Sequence, residues 1–234
     1  MLIDMHMHEM RYSGDSFLKL EQMVELAKRR GLNGICITDH DSMGLKEYAK
    51  EYSEKTGFPI FVGVEYFSLQ GDIVAFGIED FPKERIPAQD FISYVQSQGG
   101  MCFSAHPFRN NNRGLEEKLC DMQGLHGVEV LNGSTFFEAN KKAADYARKL
   151  NLAMLGSSDC HVPEKLGIYA TYFQKEINSV GELIQAVRNQ ECMPAYYKEG
   201  SYYLWDTKNP IEAPFTIREE VYEAEMLRMG SAAF

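Results

Sequence analysis

No stretch of this 234-residue chain approaches the roughly 20 consecutive apolar residues that a membrane-spanning helix needs, so a helical bilayer span is excluded. Cysteine is sparse and scattered: the five residues, at 36, 102, 120, 160 and 192, form no close pair and no zinc-finger spacing. Cys36 and Cys102 lie in apolar runs and read as buried thiols. Cys160 stands between Asp159 and His161, and neighbours on a strand face opposite sides, so it reads as packing. Positive charge is also in deficit, with 24 Lys and Arg against 34 Asp and Glu. The formal net charge of -10 argues against a broad grip on nucleic-acid backbone and against stable duplex binding. Internal repeats, low-complexity tracts and linkers are missing too. Met1 leads at once into Leu2-Ile3-Asp4-Met5-His6, so no leader is predicted and the expected location is cytoplasmic.

What the chain does have is alternation. Hydrophobic residues at 44% and charged residues at 25% suit a globular domain with a sizeable core. Strand-like apolar runs at 2–6, 33–38, 60–66, 73–78, 101–105, 127–131, 152–156 and 168–173 are separated by amphipathic stretches. Phe17–Arg30 places Leu18, Met23, Leu26 and Ala27 on one helical face, and 135–150 and 180–190 behave alike. Gly31, Gly57 and Gly99 read as helix stops. Residues 66–78 break the alternation and read as a hairpin beside the sheet, turning at Gln70-Gly71. Repeated β-α units imply a mostly parallel α/β sheet with functional residues at strand ends. Candidates from many strands can converge only on a ring, which predicts a TIM-like distorted (β/α)7 barrel. The whole chain, 1–234, is expected to form this one domain. Its tail, 194–234, with Tyr196, Tyr197, Tyr202, Tyr203 and Trp205 ahead of an acidic stretch, is predicted to pack on the barrel.

Five of the six histidines stand where a predicted strand ends, usually beside a carboxylate: His6, His8, His40, His106 and His161. His6 and His8, two apart, project from one face of a strand and can grip one ion. His126 precedes a strand and reads as a surface residue. In order, the candidate set is His6, His8, Asp15, His40, Glu65, His106, Asn132, Asp159 and His161. Imidazole and carboxylate together suit divalent Zn, Mn or Fe, and positions left open make such a centre catalytic. Arg109, three residues after His106, could meet a phosphate with its planar donor fork, and Arg11 follows His8 in the same way. Asp39 or Asp41 reads as an acceptor that orients a ligand imidazole.

The segments "DMHMHEMRYSGDS", "GICITDHDS", "GVEY", "SAHPFR" and "GSSDCH", in this order, resemble the motifs of the PHP (polymerase and histidinol phosphatase) family over residues 1–175. The pattern is most similar to small stand-alone phosphoesterases acting on nucleotides or oligonucleotides. The resemblance implies two to three divalent metal ions. It assigns His6, His8, Glu65 and Asp159 to the first, with Glu65 bridging, and Glu65, His106 and Asn132 to the second. Asp15, His40 and His161 fall to the third. Asp15 and Asn132 depart from the all-histidine version of the pattern; Asp15 is anionic and tilts its site towards harder ions, whereas Asn132 offers a neutral carbonyl.

The expected activity is hydrolysis of a phosphate ester, with a small phosphorylated substrate such as a nucleotide or oligonucleotide end. One ion lowers the pKa of its water, while a neighbouring ion holds the phosphoryl oxygens. Glu65, Arg109, Asp159 and His161 are the expected catalytic residues. Two alternatives stand: an amidohydrolase-type bimetallic hydrolase and a non-catalytic metal-binding module. Amidohydrolase-type barrels often bridge their metals with a modified strand lysine, whereas Lys19, Lys28, Lys46 and Lys50 fall on predicted helices here, which favours the phosphoesterase.

Overall fold

A computed structural model describes residues 1–205, and local signals set its helices. In α1 (Leu20–Arg30), Leu20, Met23, Val24 and Ala27 form one buried stripe, with Glu21 in the first turn and Lys28, Arg29 and Arg30 in the last. Those charges complement the helix dipole, and Gly31 ends the helix at a φ of +82°. The expected start at Phe17 comes three residues too early. Phe17 N donates to His161 O and Leu18 O accepts from Met10 N, both at 2.9 Å, so these backbone groups serve neighbouring loops. Helix α2 (Lys46–Thr56) ends at Gly57 in the same left-handed conformation. Helices α3 (Ala88–Ser97), α4 (Phe137–Leu150) and α5 (Val180–Arg188) complete the set.

The strands are β1 (Leu2–Asp4), β2 (Gly34–Ile37), β3 (Ile60–Val62), β4 (Val64–Phe67), β5 (Asp72–Phe76), β6 (Met101–Ser104), β7 (Gly127–Asn132), β8 (Ala153–Ser157), β9 (Tyr169–Phe173), β10 (Cys192–Lys198) and β11 (Ser201–Leu204). They form a six-stranded sheet, ordered β11-β10-β9-β1-β2-β3, and a five-stranded sheet, ordered β4-β5-β6-β7-β8. The class is α/β, as expected. The ladders β1–β2, β2–β3, β6–β7 and β7–β8 are parallel; the hairpin β4–β5 inserts antiparallel, as do β9 to β11. The expected hairpin at 66–78 is therefore present, within the sheet rather than beside it.

Ladder pairing does not run continuously round a ring among the described residues; the sheets meet at two seams. At the first, Gly63 N donates to Ile37 O at 2.9 Å and Glu65 N to Asp39 O at 3.2 Å. At the second, Thr171 Oγ1 donates to Gly156 O at 2.9 Å, and Asp159 N donates to His6 O at 2.9 Å. Between the sheets lies an apolar interior that includes Ile3, Met5, Cys36, Phe61, Val74, Phe76, Met101, Phe103, Leu155 and Phe173. The outer faces of β2 and β7 pack on helices, with Ile35 and Ile37 against α1 and Val128 and Val130 beside the alanines of α4. Cys36, Cys102 and Cys160 are buried free thiols, and Cys160 Sγ donates to Val162 O at 3.0 Å.

The first seam depends on a missing side chain. A Cβ at Gly63 would lie 2.4 Å from Ala75 O and 2.8 Å from the Phe76 ring. Gly63→Ala is expected to destabilise the protein by about 1–3 kcal/mol, the usual cost of overpacking. A thermal unfolding midpoint equal to that of the parent would show that the seam yields instead.

The tail begins as an antiparallel hairpin that widens the sheet beside β9. Tyr196 pairs with Tyr203 and Tyr197 with Tyr202 across a turn at Glu199 and Gly200, both at positive φ. Trp205 is buried, its ring 5.8 Å from that of Phe137. The acidic stretch beyond it lies outside the described residues. Within the described residues no helix is long and apolar enough to cross a membrane.

Candidate metal centre

Beyond β1 the chain stays extended, so the side chains of residues 6 to 8 alternate. Met7 turns to the hydrophobic core, while His6 and His8 point the other way with their Nε2 atoms 2.9 Å apart. The other nitrogen of each ring is held. His6 Nδ1 lies 3.1 Å from Glu129 Oε1, a carboxylate that only accepts, so Nδ1 carries the proton and Nε2 presents a lone pair. His8 Nδ1 lies 3.2 Å from Ser13 Oγ, whose hydroxyl is donated to Asp39 Oδ1 at 2.9 Å. His8 Nδ1 must then be the donor, and its Nε2 also faces inwards. Burial lowers the His6 pKa, but Asp159, Glu65 and Glu129 outweigh it and raise it well above the usual value; burial prevails in His8 and brings it down to about 4. A cation between the two facing nitrogens would serve both rings.

Glu65, on β4, is the common neighbour. Its Oε1 lies 2.9 Å from His106 Nε2 and 3.5 Å from His6 Nε2; its Oε2 lies 2.6 Å from His40 Nδ1 and 3.5 Å from His8 Nε2. Asp159 Oδ1 is 3.2 Å from His8 Nε2 and 3.6 Å from His161 Nδ1. Asp15 Oδ2 closes the outer side, 3.2 Å from His40 Nε2 and 3.3 Å from His161 Nε2. Three groups of donor atoms result, each within 4.8 Å: His6-His8-Asp159, Glu65-Asp72-His106 and His8-His40-His161. Burial pushes the Glu65 carboxyl up, but His6, His106 and His40 outweigh it and hold it well below the usual range. Asp159, pushed up by burial, is held low by His6, Arg109 and His8.

Divalent ions fit this donor set. Glu65 Oε2, His40 Nδ1 and His106 Nδ1 are buried atoms without a hydrogen-bond partner, and the 2.6 Å approach of Glu65 Oε2 to His40 Nδ1 lacks hydrogen-bond alignment. Buried polar atoms are otherwise almost always paired. The backbone is strained here as well: His106 and Asp159 adopt φ of 26° and 48° without being glycine.

Asn132 and Arg109 occupy one side of the cluster. Asn132 Oδ1 accepts from Arg109 Nη2 at 2.6 Å, Ser134 N at 2.8 Å and Thr135 Oγ1 at 2.9 Å, while its Nδ2 donates to Glu129 and Asp159. Its carbonyl is therefore turned to Arg109, and Asp72 supplies the third member of the group at His106. Arg109 also pairs with Asp159 Oδ2 and donates to Thr135 Oγ1. Arg11 is directed away, its guanidinium 4.6 Å from the Tyr48 ring. Asp39 supports His8 through Ser13, whereas Asp41 Oδ1 accepts from Phe67 N at 3.0 Å. His126, expected at the surface, is half-buried because its ring accepts from Cys102 N at 3.2 Å.

Sequence reasoning passed over Glu129, Asp72 and Ser13. Glu129 leaves a trace in the sequence, a carboxylate in the fully buried strand Gly127-Val-Glu-Val. Burial raises Asp72 to about 6, with Glu65 adding to the rise.

Residues 137–192, which begin at the start of α4 and include Asp159 and His161, match a family model described as PHP-associated. That match likens this part of the chain to PHP-associated proteins. An uncharacterized Methanocaldococcus jannaschii protein is 29% identical to this chain over 143 residues, covering 56% of it and 82% of its relative. A second from that organism is 32% identical over 117 residues, covering 43% and 49%. Among solved structures, a putative metal-dependent phosphoesterase from Bifidobacterium adolescentis superposes with a TM-score of 0.61 at 18% identity, covering 79% of this chain and 95% of its own. An amidohydrolase from Chromobacterium violaceum, with bound sulfate and no metal, gives 0.59 at 21% identity over 70% and 89%. A lesion-specific endonuclease from Pyrococcus furiosus gives 0.60 at 14% identity over 95% and 66%. At these identities the likeness is one of fold.

Proposed function

We propose that the protein is a metal-dependent hydrolase of phosphate esters, holding two to three divalent ions and acting on a nucleotide, an oligonucleotide end or another small phosphomonoester. The observation that carries this reading is the convergence of three donor groups on one buried carboxylate, Glu65, with buried atoms lacking partners. His6, His8, Glu65 and Asp159 would hold one ion, Glu65 and His106 a second, and Asp15, His40 and His161 a third. When bound, such ions lower the pKa of a water and neutralise charge on phosphoryl oxygens. The two seams between the sheets would close a distorted barrel that keeps these ligands at strand ends.

The protein's own residues do the rest. Glu129 and Ser13 fix which nitrogens of His6 and His8 face inwards. Arg109, partly exposed beside Asp159, has donors to spare for a phosphate oxygen. That cation favours a phosphate ester over an amide, the substrate suggested by the Chromobacterium violaceum relative. Lys28 lies in α1 and Lys46 and Lys50 in α2, so none of them can bridge metals from a strand.

Purified protein supplemented with Mn, Zn or Fe should carry at least two ions per chain and cleave some of a panel of mononucleotides, nucleoside bisphosphates, short oligonucleotides and sugar phosphates. Fewer than one ion per chain, or cleavage of amides alone, would overturn the proposal. Arg109→Ala is expected to lower kcat/KM about tenfold to a hundredfold, the worth of a charge-assisted hydrogen bond, with ion content unchanged. Unaltered kcat/KM would place Arg109 outside the substrate site.

A further inference from the structure

We infer that Lys165 joins Arg109 in a two-cation seat for the terminal phosphate of a phosphomonoester, and that this seat selects the monoester over a phosphodiester. The inference rests on the phosphate-ester reading above and names a residue and a substrate class for it. Lys165 ends the short helical turn Pro163–Lys165, just beyond His161. Its main chain is fixed on both sides, the N donating to Val162 O at 3.2 Å and the O accepting from Ile168 N at 3.1 Å.

The side chain is held as well. Lys165 Nζ donates to Ser134 Oγ at 2.9 Å, and that hydroxyl is itself donated to Asp159 O at 3.2 Å. Thr135, the next residue, takes the other cation: Arg109 Nε donates to its Oγ1 at 3.1 Å. Adjacent hydroxyls on the loop after β7 thus bring an ammonium and a guanidinium to Asp159. Burial lowers the Lys165 pKa; Asp159 opposes the fall and Arg109 adds to it, so both charges act on the ammonium.

Charge on this flank is unbalanced. Among the described residues no carboxylate forms an ion pair with Lys165, and Asp159 is already engaged by Arg109. Part-buried cations set near each other repel unless an anion lies between them. Donors for that anion are left over. Arg109 gives Nε and Nη2 to Thr135, Asn132 and Asp159 and keeps Nη1, while Lys165 keeps the N–H bonds not given to Ser134. A phosphomonoester near neutral pH carries about two negative charges, enough to answer both cations, whereas a diester carries about one. A cavity of about 500 Å³ adjoins Arg109, lined in part by Phe108, Asn110, Glu116, Glu117 and Glu138. Its carboxylates outnumber Lys142, so it suits an uncharged nucleoside or sugar and repels a further backbone phosphate.

The test compares the full, metal-loaded chain with Lys165→Ala and Lys165→Arg, using p-nitrophenyl phosphate, bis(p-nitrophenyl) phosphate and inorganic phosphate as probes. In Lys165→Ala the inhibition constant of phosphate should rise about tenfold or more, the worth of a charge-assisted hydrogen bond, and kcat/KM for the monoester should fall with it. Turnover of the diester should hardly change. Lys165→Arg should recover most of the loss, with ion content and thermal unfolding midpoint parental in both variants. Unaltered phosphate inhibition in Lys165→Ala would overturn the inference and leave the proposed function standing. Equal losses on monoester and diester would also overturn it, by reducing Lys165 to a brace for the loop. A parent that hydrolyses no phosphate ester, yet loses calorimetric phosphate affinity on Lys165→Ala, would overturn the proposed function and keep the phosphate seat.

Discussion

Glu65→Gln should abolish phosphoesterase turnover by several orders of magnitude while leaving the fold intact. Glutamine keeps the shape of the side chain but removes the charge that faces His6, His8, His40 and His106 at distances of 2.6 to 3.5 Å. With a neutral amide at that point, Asp159 and Asp15 are the carboxylates left beside His8, His40 and His161 to balance the charge of bound ions. Two adjacent dications need an anion between them, because their repulsion in a buried site is large. The fold should survive because the apolar interior of Ile3, Met5, Phe76, Phe103 and Phe173 makes no use of that charge. Circular dichroism, ion content and turnover on the best substrate would be measured together. A folded variant with full ion content and parental turnover would show that Glu65 does not bridge.

The second large effect belongs to Glu129, which meets four donors with two oxygens. Oε1 takes His6 Nδ1 and the Ser157 hydroxyl; Oε2 takes His106 N at 2.7 Å and Asn132 Nδ2 at 2.8 Å. In Glu129→Gln one of these oxygens becomes an NH2 that points at donors. If the amide nitrogen faces His6, the imidazole must give up its Nδ1 proton and carry it on Nε2, where an ion would bind. If it faces His106, the strained backbone at a φ of 26° loses its anchor. Either arrangement predicts a loss of ion affinity of about tenfold to a hundredfold, as for other carboxylates that orient metal-binding histidines. Stability should fall by about 1–3 kcal/mol from the unsatisfied donor. Calorimetric ion titration and thermal unfolding read the two effects separately. Parental ion affinity in a destabilised variant would reduce Glu129 to a packing role.

The difference between residues that could be read from the chain and those that could not has a physical basis. His6 and His8 were legible because a period of two on a strand puts them on one face, and His40, His106 and His161 because each follows an apolar run. Asp72 was hidden, since its place beside His106 depends on β5 running antiparallel between β4 and β6, a tertiary choice. Glu129 looked like a strand carboxylate of no particular direction until β1 was laid beside it. Asn132 follows the family pattern in position, yet the direction of its carbonyl is decided by Arg109, 23 residues away. Pro194 and the charged turn at Glu199 obscured the β10–β11 hairpin, which the tyrosine pairs complete. Helix starts failed where loops claimed backbone groups, as at Phe17.

The seam between β2 and β4 has a mechanical meaning as well. His6, His8 and His40 extend from the six-stranded sheet, whereas Glu65, His106 and Asp159 extend from the five-stranded one, and the two are joined there by few backbone bonds. An ion shared across that junction would act as a rivet through two plates. Its binding energy would then count towards holding the halves of the protein together, and resistance to unfolding would follow the concentration of free metal around it.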